Sequence, residues 1–380
     1  MANDHFRKRV LAQLEKKIDN RSPTTWGSLN NKVMHRLLSR AIPPVISGSN
    51  NGLEAYYLTG QEAENKLDFH ATNLHGPIIT HHQQQFEWDK RKGRPIGQLF
   101  RRMGNLNRTV SVQKPSLSLE NDSFITMPLY DVQDKFLTNM VSEDPLNVLD
   151  LCNPLPRSIL PKFLTGEDCQ LLSEVRYSVL GGDTAERCVA TAAKWNKWRD
   201  DEDWVLVAQG GAQTLTHEDG LGKATWLTVQ EGQLGLGWIS HPTEEERRDW
   251  GASPNTFQGG RLRYVVLHPG QTIYFEAGTI HFVFRAVEYQ TAIVGGHILR
   301  WSRVVSFMEV VLHQLQFPDA TNEEILPSAR VYVETVARLI SDRKTSGRSE
   351  ELGGEESIAR FFLLKEKFDK ILKRRRKRAV

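Results

Sequence analysis

PGQTIYFEAGTIHFVF spans residues 269–284. Pro269 and Gly270 make a tight turn, TIYF reads as an apolar strand, and a short glycine-containing turn at Gly278 precedes a second strand opening on His281. The same texture extends outward on both sides. Upstream lie WVLVA, apolar throughout and read as a buried strand, the alternating TLTH, then ATWLTVQEG, LGLGWI and RLRYVVL; downstream lies QTAIVGG. Some seven or eight short strands separated by turns such as Gly220–Gly222 predict an antiparallel sandwich or small barrel. TEEERRDW (residues 243–250) reads as a helical insertion within it.

The flanks read differently. Phe6, Val10, Leu11, Leu14 and Ile18 have helical spacing, and a second helix is expected from Val33 to Ile42, where Pro43 and Pro44 stop it. SGSNNG (47–52) and HHQQQFEWDKRKGRP (81–95) read as surface loops, with His81 and His82 a solvated pair. Helices are expected from Gly166 to Val179, around Leu171 and Leu172, and from Ala185 to Arg199, carrying Trp195 and Trp198, before the acidic turn at 200–203. After Trp301 three more follow: VVSFMEVVLHQLQF, EEILPSARVYVETVARLI and IARFFLLKEKFDKILKRRRKR. The first two are apolar enough to require packing on the sandwich. SDRKTSGRSEELGGEES, between the second and third, reads as a flexible linker. The expected organisation is an accessory region over residues 1–143, a strand domain with leading helices over 144–310, and a helical region with a basic tail over 311–380.

The chain has 380 residues, 39% hydrophobic and 25% charged, which suits one large globular domain or two smaller ones. No run approaches the roughly 18 apolar residues of a membrane span, and the charged start MANDHFRKRV does not read as a secretory signal. An intracellular protein without membrane contact is expected. Cys152, Cys169 and Cys188 are an odd number without CxxC spacing, which argues against a disulfide framework or a zinc ribbon. The net charge is +3, yet KRRRKR at 373–378 contributes six positive charges, leaving −3 for the remainder. Any nucleic-acid contact is therefore confined to the tail. That tail reads as a nuclear-import signal and equally as a counter-ion patch for nucleic acid, the plainer alternative being the solvated end of a helix whose dipole it complements.

GAQTLTHEDGLG (211–222) puts His217 and Asp219 one residue apart. On a strand, residues i and i+2 point the same way, so this pair delivers two ligands into one cavity. A non-haem iron site needs two imidazoles and one carboxylate on one face of the ion. His281 follows Asp219 by 62 residues with several strands between, enough to wrap a sandwich and return to the same cavity. Each histidine alone is equally a core imidazole bonded to a backbone carbonyl; together they form the candidate metal set. His241 and His268 read as loop residues and His313 as an ordinary helix residue.

Thr214, Trp226 and Gly232, the PGxT turn, the stretch leading into His281, and the Gly295–Gly296 pair of IVGGHILRWS (293–302) follow one another in an order and spacing that resembles the JmjC domain. That family comprises 2-oxoglutarate oxygenases, among them many histone lysine demethylases, built on a cupin-type jelly roll. The resemblance runs from about Val205 to Trp301. It implies an α+β fold, a double-stranded β-helix (jelly roll) with flanking helices and an irregular N-terminal region. It further implies iron(II) on His217, Asp219 and His281 as the metal and catalytic residues, with 2-oxoglutarate as cosubstrate. Hydroxylation or demethylation of a protein substrate, a histone or other chromatin protein, in the nucleus would follow.

One feature of the family is missing. The lysine that usually holds the distal carboxylate of 2-oxoglutarate has no counterpart, because positions 232–235 read Gly-Gln-Leu-Gly. A buried dianion needs a cation. Thr214 supplies one hydroxyl, and Arg285, four residues beyond His281 and on the same side of its strand, is the candidate substitute. Lys223 and Arg263 read as solvent-facing. His297 stands where an asparagine is often found, as a fourth ligand or as a hydrogen-bonding neighbour of the ligands. Without a cation for the cosubstrate, two alternatives stand: a metal-binding recognition module without catalysis, and cupin chemistry that uses no keto acid.

Overall fold

The computed structural model describes residues 2–18, 26–48, 52–69, 74–114, 124–138, 141–156, 159–181 and 202–378. Among these the fold is α+β. The strands are β1 (Tyr56–Tyr57), β2 (Ile78–His81), β3 (Thr109–Gln113), β4 (Phe124–Pro128), β5 (Asn147–Cys152), β6 (Trp204–Ala208), β7 (Thr214–His217), β8 (Ala224–Glu231), β9 (Leu234–Ser240), β10 (Arg261–Leu267), β11 (Gln271–Phe275), β12 (His281–Phe284) and β13 (Thr291–Ile298). They form a nine-stranded sheet ordered β1-β2-β11-β8-β13-β6-β5-β3-β4 and a four-stranded sheet ordered β10-β9-β12-β7. Pairing is antiparallel except where β1 runs parallel to β2.

From β6 onward the pairing is nested. β6 lies against β13, β7 against β12, β8 against β11 and β9 against β10. The segment is thus one long hairpin whose four paired rungs alternate between the two sheets. This order brings His217, at the end of β7, opposite His281, at the start of β12, as Cα partners.

The two sheets share an apolar interior. Leu206, Leu227, Ile273, Phe275 and Ile293 of the larger sheet meet Leu236, Trp238, Val265 and Val283 of the smaller. The opposite face of the larger sheet is covered too. Val205, Val207, Trp226, Tyr274 and Val294 pack under Leu99 and Phe100 of a helix at Pro95–Arg102 and under Val132 and Phe136 of another at Leu129–Leu137. A strand buried on both sides carries no polar alternation, which is why WVLVA reads as continuous apolar sequence. The outer face of the smaller sheet, with Tyr264, Phe282 and Phe284, is closed by Phe6, Val10 and Leu14 of the helix at Ala2–Lys17 and by Met34, Leu37 and Leu38 of the helix at Trp26–Arg40.

Four of the remaining helices form a second apolar body beside the sandwich. Counting the four just given as α1 (Ala2–Lys17), α2 (Trp26–Arg40), α4 (Pro95–Arg102) and α5 (Leu129–Leu137), the others are α3 (Gly60–Lys66), α6 (Leu171–Gly181), α7 (Glu244–Ala252), α8 (Val304–Gln316), α9 (Leu326–Thr345) and α10 (Gly354–Arg378). α6, α8, α9 and α10 share a cluster that includes Val175, Phe307, Val336 and Phe361, and this cluster reaches the sandwich through Leu221 and Trp301. None of these helices is long and apolar enough to cross a membrane. α7 is the expected insertion: Thr243 caps it and exchanges backbone and side-chain hydrogen bonds with Glu246, the reciprocal arrangement that satisfies two otherwise open N–H groups.

Several expectations shift. α2 begins at Trp26, a full two turns before Val33. His81 closes β2, so the segment read as a loop starts inside the sheet. The predicted linker is ordered: SDRKT completes α9, and Ser349–Leu352 forms a short 3-10 turn with Leu352 buried. Its polar composition hides the cause. Arg343 stacks 3.7 Å from the centroid of the Trp301 ring and pairs with Glu351, Glu167 and Glu174. The helix expected over 185–199, with Trp195, Trp198 and Cys188, lies outside the described residues, as does the first half of the acidic turn at 200–203. The basic run begins in the last turns of α10, where Arg375 donates to the Leu315 carbonyl.

Candidate metal centre

Asp219 stands two residues past the end of β7 and opens the turn Gly220–Gly222. Leu221 takes the left-handed conformation at φ 59°, which is uncommon for a residue with a side chain and must be held from outside. α8 and the segment after it supply the hold. Gln314 donates to the Asp219 carbonyl at 2.8 Å and accepts from the Leu221 N–H at 2.9 Å, while Glu323 accepts from the Gly220 N–H at 3.1 Å. A Cβ at Gly222 would stand 2.6 Å from the Phe307 carbonyl oxygen, so only glycine fits beneath α8.

The three expected ligands converge. One donor atom from each of His217, Asp219 and His281 lies within 4.8 Å of the others. Asp219 Oδ1 is 3.8 Å from His217 Nε2 and 3.9 Å from His281 Nε2. Both imidazoles place Nδ1 2.9 Å from a carbonyl two residues earlier, Leu215 for His217 and Thr279 for His281. A carbonyl only accepts, so Nδ1 carries the proton and Nε2 presents its lone pair toward Asp219. Two neutral imidazoles and one carboxylate on a common point are the donor set of a mononuclear divalent metal site.

Charge and burial support that state. Burial alone would raise the Asp219 carboxyl, but facing His281, His297 and His217, together with a hydrogen bond from Thr225, brings it down to about 2. Burial, reinforced by His217, lowers His281 to about 4, which keeps it neutral and able to ligate near pH 7. The site is not sealed: the side chains of His217 and Asp219 are 12% and 15% exposed, that of His281 only 4%. The opening to solvent lies on the His217–Asp219 side.

The sequence gives no sign of Thr225. Its hydroxyl donates to Asp219 Oδ2 and lies 3.0 Å from His297 Nδ1. Having one proton, it must accept from His297, which fixes that ring with Nδ1 protonated. His297 is thus tied to the metal set through Thr225 and packs against Trp204 at 5.7 Å between centroids. Strand alternation along β8 places Thr225 on the interior side with Leu227 and Val229 but does not mark it as a partner of Asp219.

The cosubstrate residues fall elsewhere. Arg285 is buried, with Nε donating to Thr291 Oγ1 at 2.7 Å and Nη1 to the Ala212 carbonyl at 3.3 Å. Burial brings it down to about 9. Thr291 opens β13 and His297 is its last residue but one, six residues or roughly 20 Å apart, so the guanidinium sits toward the opposite end of that strand from His297. Thr214 accepts from Asn147 at 3.3 Å. The inward positions of β9, the strand from which the family lysine would come, are Leu234, Leu236 and Trp238. Arg285 Nη2 is buried without a hydrogen-bond partner, which leaves one cationic donor open to an anion, while the inward face of β9 offers none.

Other expectations are corrected. Lys223 and Arg263 do not face solvent: Lys223 is buried 3.6 Å from Glu323, and Arg263 pairs with the buried Glu54. His313 is not an ordinary helix residue, because its Nδ1 lies 3.3 Å from the fully buried carboxylate of Glu218 and its ring stacks on Trp250. His241 follows β9 in a left-handed conformation and stacks on His75, and His268 lies in the turn between β10 and β11. No protein-family model matches the chain, and no curated protein matches its sequence.

Proposed function

We propose that residues 204–298 form a JmjC-like jelly roll, that His217, Asp219 and His281 hold one iron(II) ion, and that the protein is an oxygenase acting on a protein substrate. The nested pairing of β6 through β13 supports the fold reading, since a long hairpin wound into two facing sheets is how a double-stranded β-helix is built. The observation that carries the function is the convergence of two Nδ1-anchored imidazoles and a carboxylate from segments 62 residues apart. Iron(II), when bound, supplies the activation of oxygen and the oxidation of a substrate C–H bond.

The chain's own residues do the rest. Leu215 and Thr279 carbonyls keep both Nε2 lone pairs aimed at the ion. Thr225 holds Asp219 so that Oδ1 is the free oxygen. Phe275, with its ring 4.6 Å from His281, and Trp238 exclude water from the interior side, leaving the His217–Asp219 side for substrate. The basic run at 373–378 supports the proposal of a nuclear protein with a histone or chromatin partner, with nucleic-acid contact through that tail alone.

The apolar inward face of β9 favours a second reading, in which the metal site serves recognition, or an oxygenation that needs no keto acid. One experiment separates them. Iron-loaded protein is titrated with 2-oxoglutarate by calorimetry and assayed for succinate. Turnover that is lost in His217→Ala supports the cosubstrate-dependent oxygenase; metal binding without 2-oxoglutarate binding supports the second reading; absence of metal binding overturns both.

A further inference from the structure

We propose that Arg247, on the inserted helix α7, is a positioning residue that locks the two halves of the metal set to each other; this rests on the metal reading above. His217 and Asp219 point inward, so Glu218 between them points to the opposite side. There it is fully buried, and a carboxylate in that position needs a cation. Arg247 provides it through Nη1.

The same Nη1 donates to the Gly278 carbonyl at 2.7 Å. Gly278 lies in the turn before β12, next to Thr279, whose carbonyl orients the His281 ring. One guanidinium therefore spans the segment carrying two ligands and the segment carrying the third. The turn is shaped to receive it: Gly278 has φ 72°, and a Cβ there would stand 2.7 Å from Val310 of α8 and 3.4 Å from Arg247 Nη1. His313 Nδ1 of α8 lies 3.3 Å from the other oxygen of Glu218, close enough for charge but without a hydrogen bond. α7, inserted between β9 and β10, contributes no ligand, and its bond to both arms gives it a role in the site.

Both contacts leave one nitrogen, so lysine reproduces them only where its ammonium reaches the point Nη1 occupies, and its side chain is about one atom shorter. The test compares wild type with Arg247→Lys and Arg247→Leu. Cobalt(II) affinity is measured by chelator competition, the cobalt visible spectrum is recorded, and a urea midpoint is taken for each. The expected result is a loss of affinity of about 10–100-fold for the leucine variant, with a changed cobalt band, and intermediate values for lysine. The band shape reports ligand arrangement, which a purely structural role would leave unchanged in the folded variant. If Arg247→Leu does not fold, Arg247→Lys decides alone: an altered band at a near-wild-type urea midpoint supports the role. Unaltered affinity and spectrum in a folded variant overturn it while leaving the metal reading intact; wild-type protein that binds no cobalt overturns both.

Discussion

His217 and His281 face each other across β7 and β12 with ring centroids 4.2 Å apart, and each is oriented by the carbonyl two residues before it in its own strand. Neither ring depends on the other for its aim. Replacing one leaves the second in place, so His217→Ala and Asp219→Asn are expected to fold and to lose metal by more than the roughly 10–100-fold that an outer partner costs. Metal titration beside circular dichroism checks this. A folded Asp219→Asn protein with wild-type affinity would remove the carboxylate from the set.

Thr225 separates orientation from ligation. Thr225→Val keeps shape and removes the hydroxyl, leaving Asp219 Oδ2 and His297 Nδ1 without their shared partner. A cost of about 1–3 kcal/mol in stability is expected from the unsatisfied groups, together with weaker metal binding. Thr225→Ser restores the hydroxyl and should recover most of both. Urea unfolding of the two variants, with and without metal, measures the difference.

The Gly295–Gly296 pair serves close packing. A Cβ at Gly296 would come within 1.9 Å of the Glu202 carbonyl oxygen, and one at Gly295 within 2.6 Å of the Trp204 ring. Gly296→Ala must move backbone and is expected to destabilise by roughly 3 kcal/mol or more, visible as a lower melting temperature. A variant as stable as wild type would show that β13 and the segment at Glu202 separate readily.

Acid sensitivity is expected from Glu54. Burial opposes its ionisation, but the hydrogen bond from Arg263, the Val45 N–H and the Arg263 charge outweigh it and hold the carboxyl below its usual range. A folded-state value below the unfolded one means that the unfolded chain takes up the proton first. The stabilisation is therefore present above the ordinary carboxylate range and fades as pH falls through it. Stability against pH for wild type and Glu54→Gln should converge at low pH; parallel curves would show that the pair contributes nothing.

The sequence marks the strands from 204 onward because glycine turns interrupt short apolar runs, and it marks the candidate metal set because His-x-Asp is followed by a histidine that the strand order can return to the same cavity. Residues 56–57, 78–81 and 109–152 add strands to the larger sheet without announcing themselves, since each is short and flanked by polar sequence. Arg285 was legible in direction but not in depth: alternation predicts the face of a strand, and says nothing about which end of the interior a long side chain occupies. Thr225, Glu218 and Arg247 were hidden for a related reason. Their roles lie in what they touch across the fold, and a hydroxyl or a buried ion pair leaves no periodicity behind.

β6 pairs with β5 on one side, but its rung of the hairpin closes only with β13 on the other, so the first rung waits for the last to emerge from the ribosome. Long-range ladders of this kind close slowly and leave edges open meanwhile. The pocket formed by His217, Asp219 and His281 is consequently a late product of synthesis, and a chain interrupted before residue 291 would own all three residues yet lack the strand beside which they assemble.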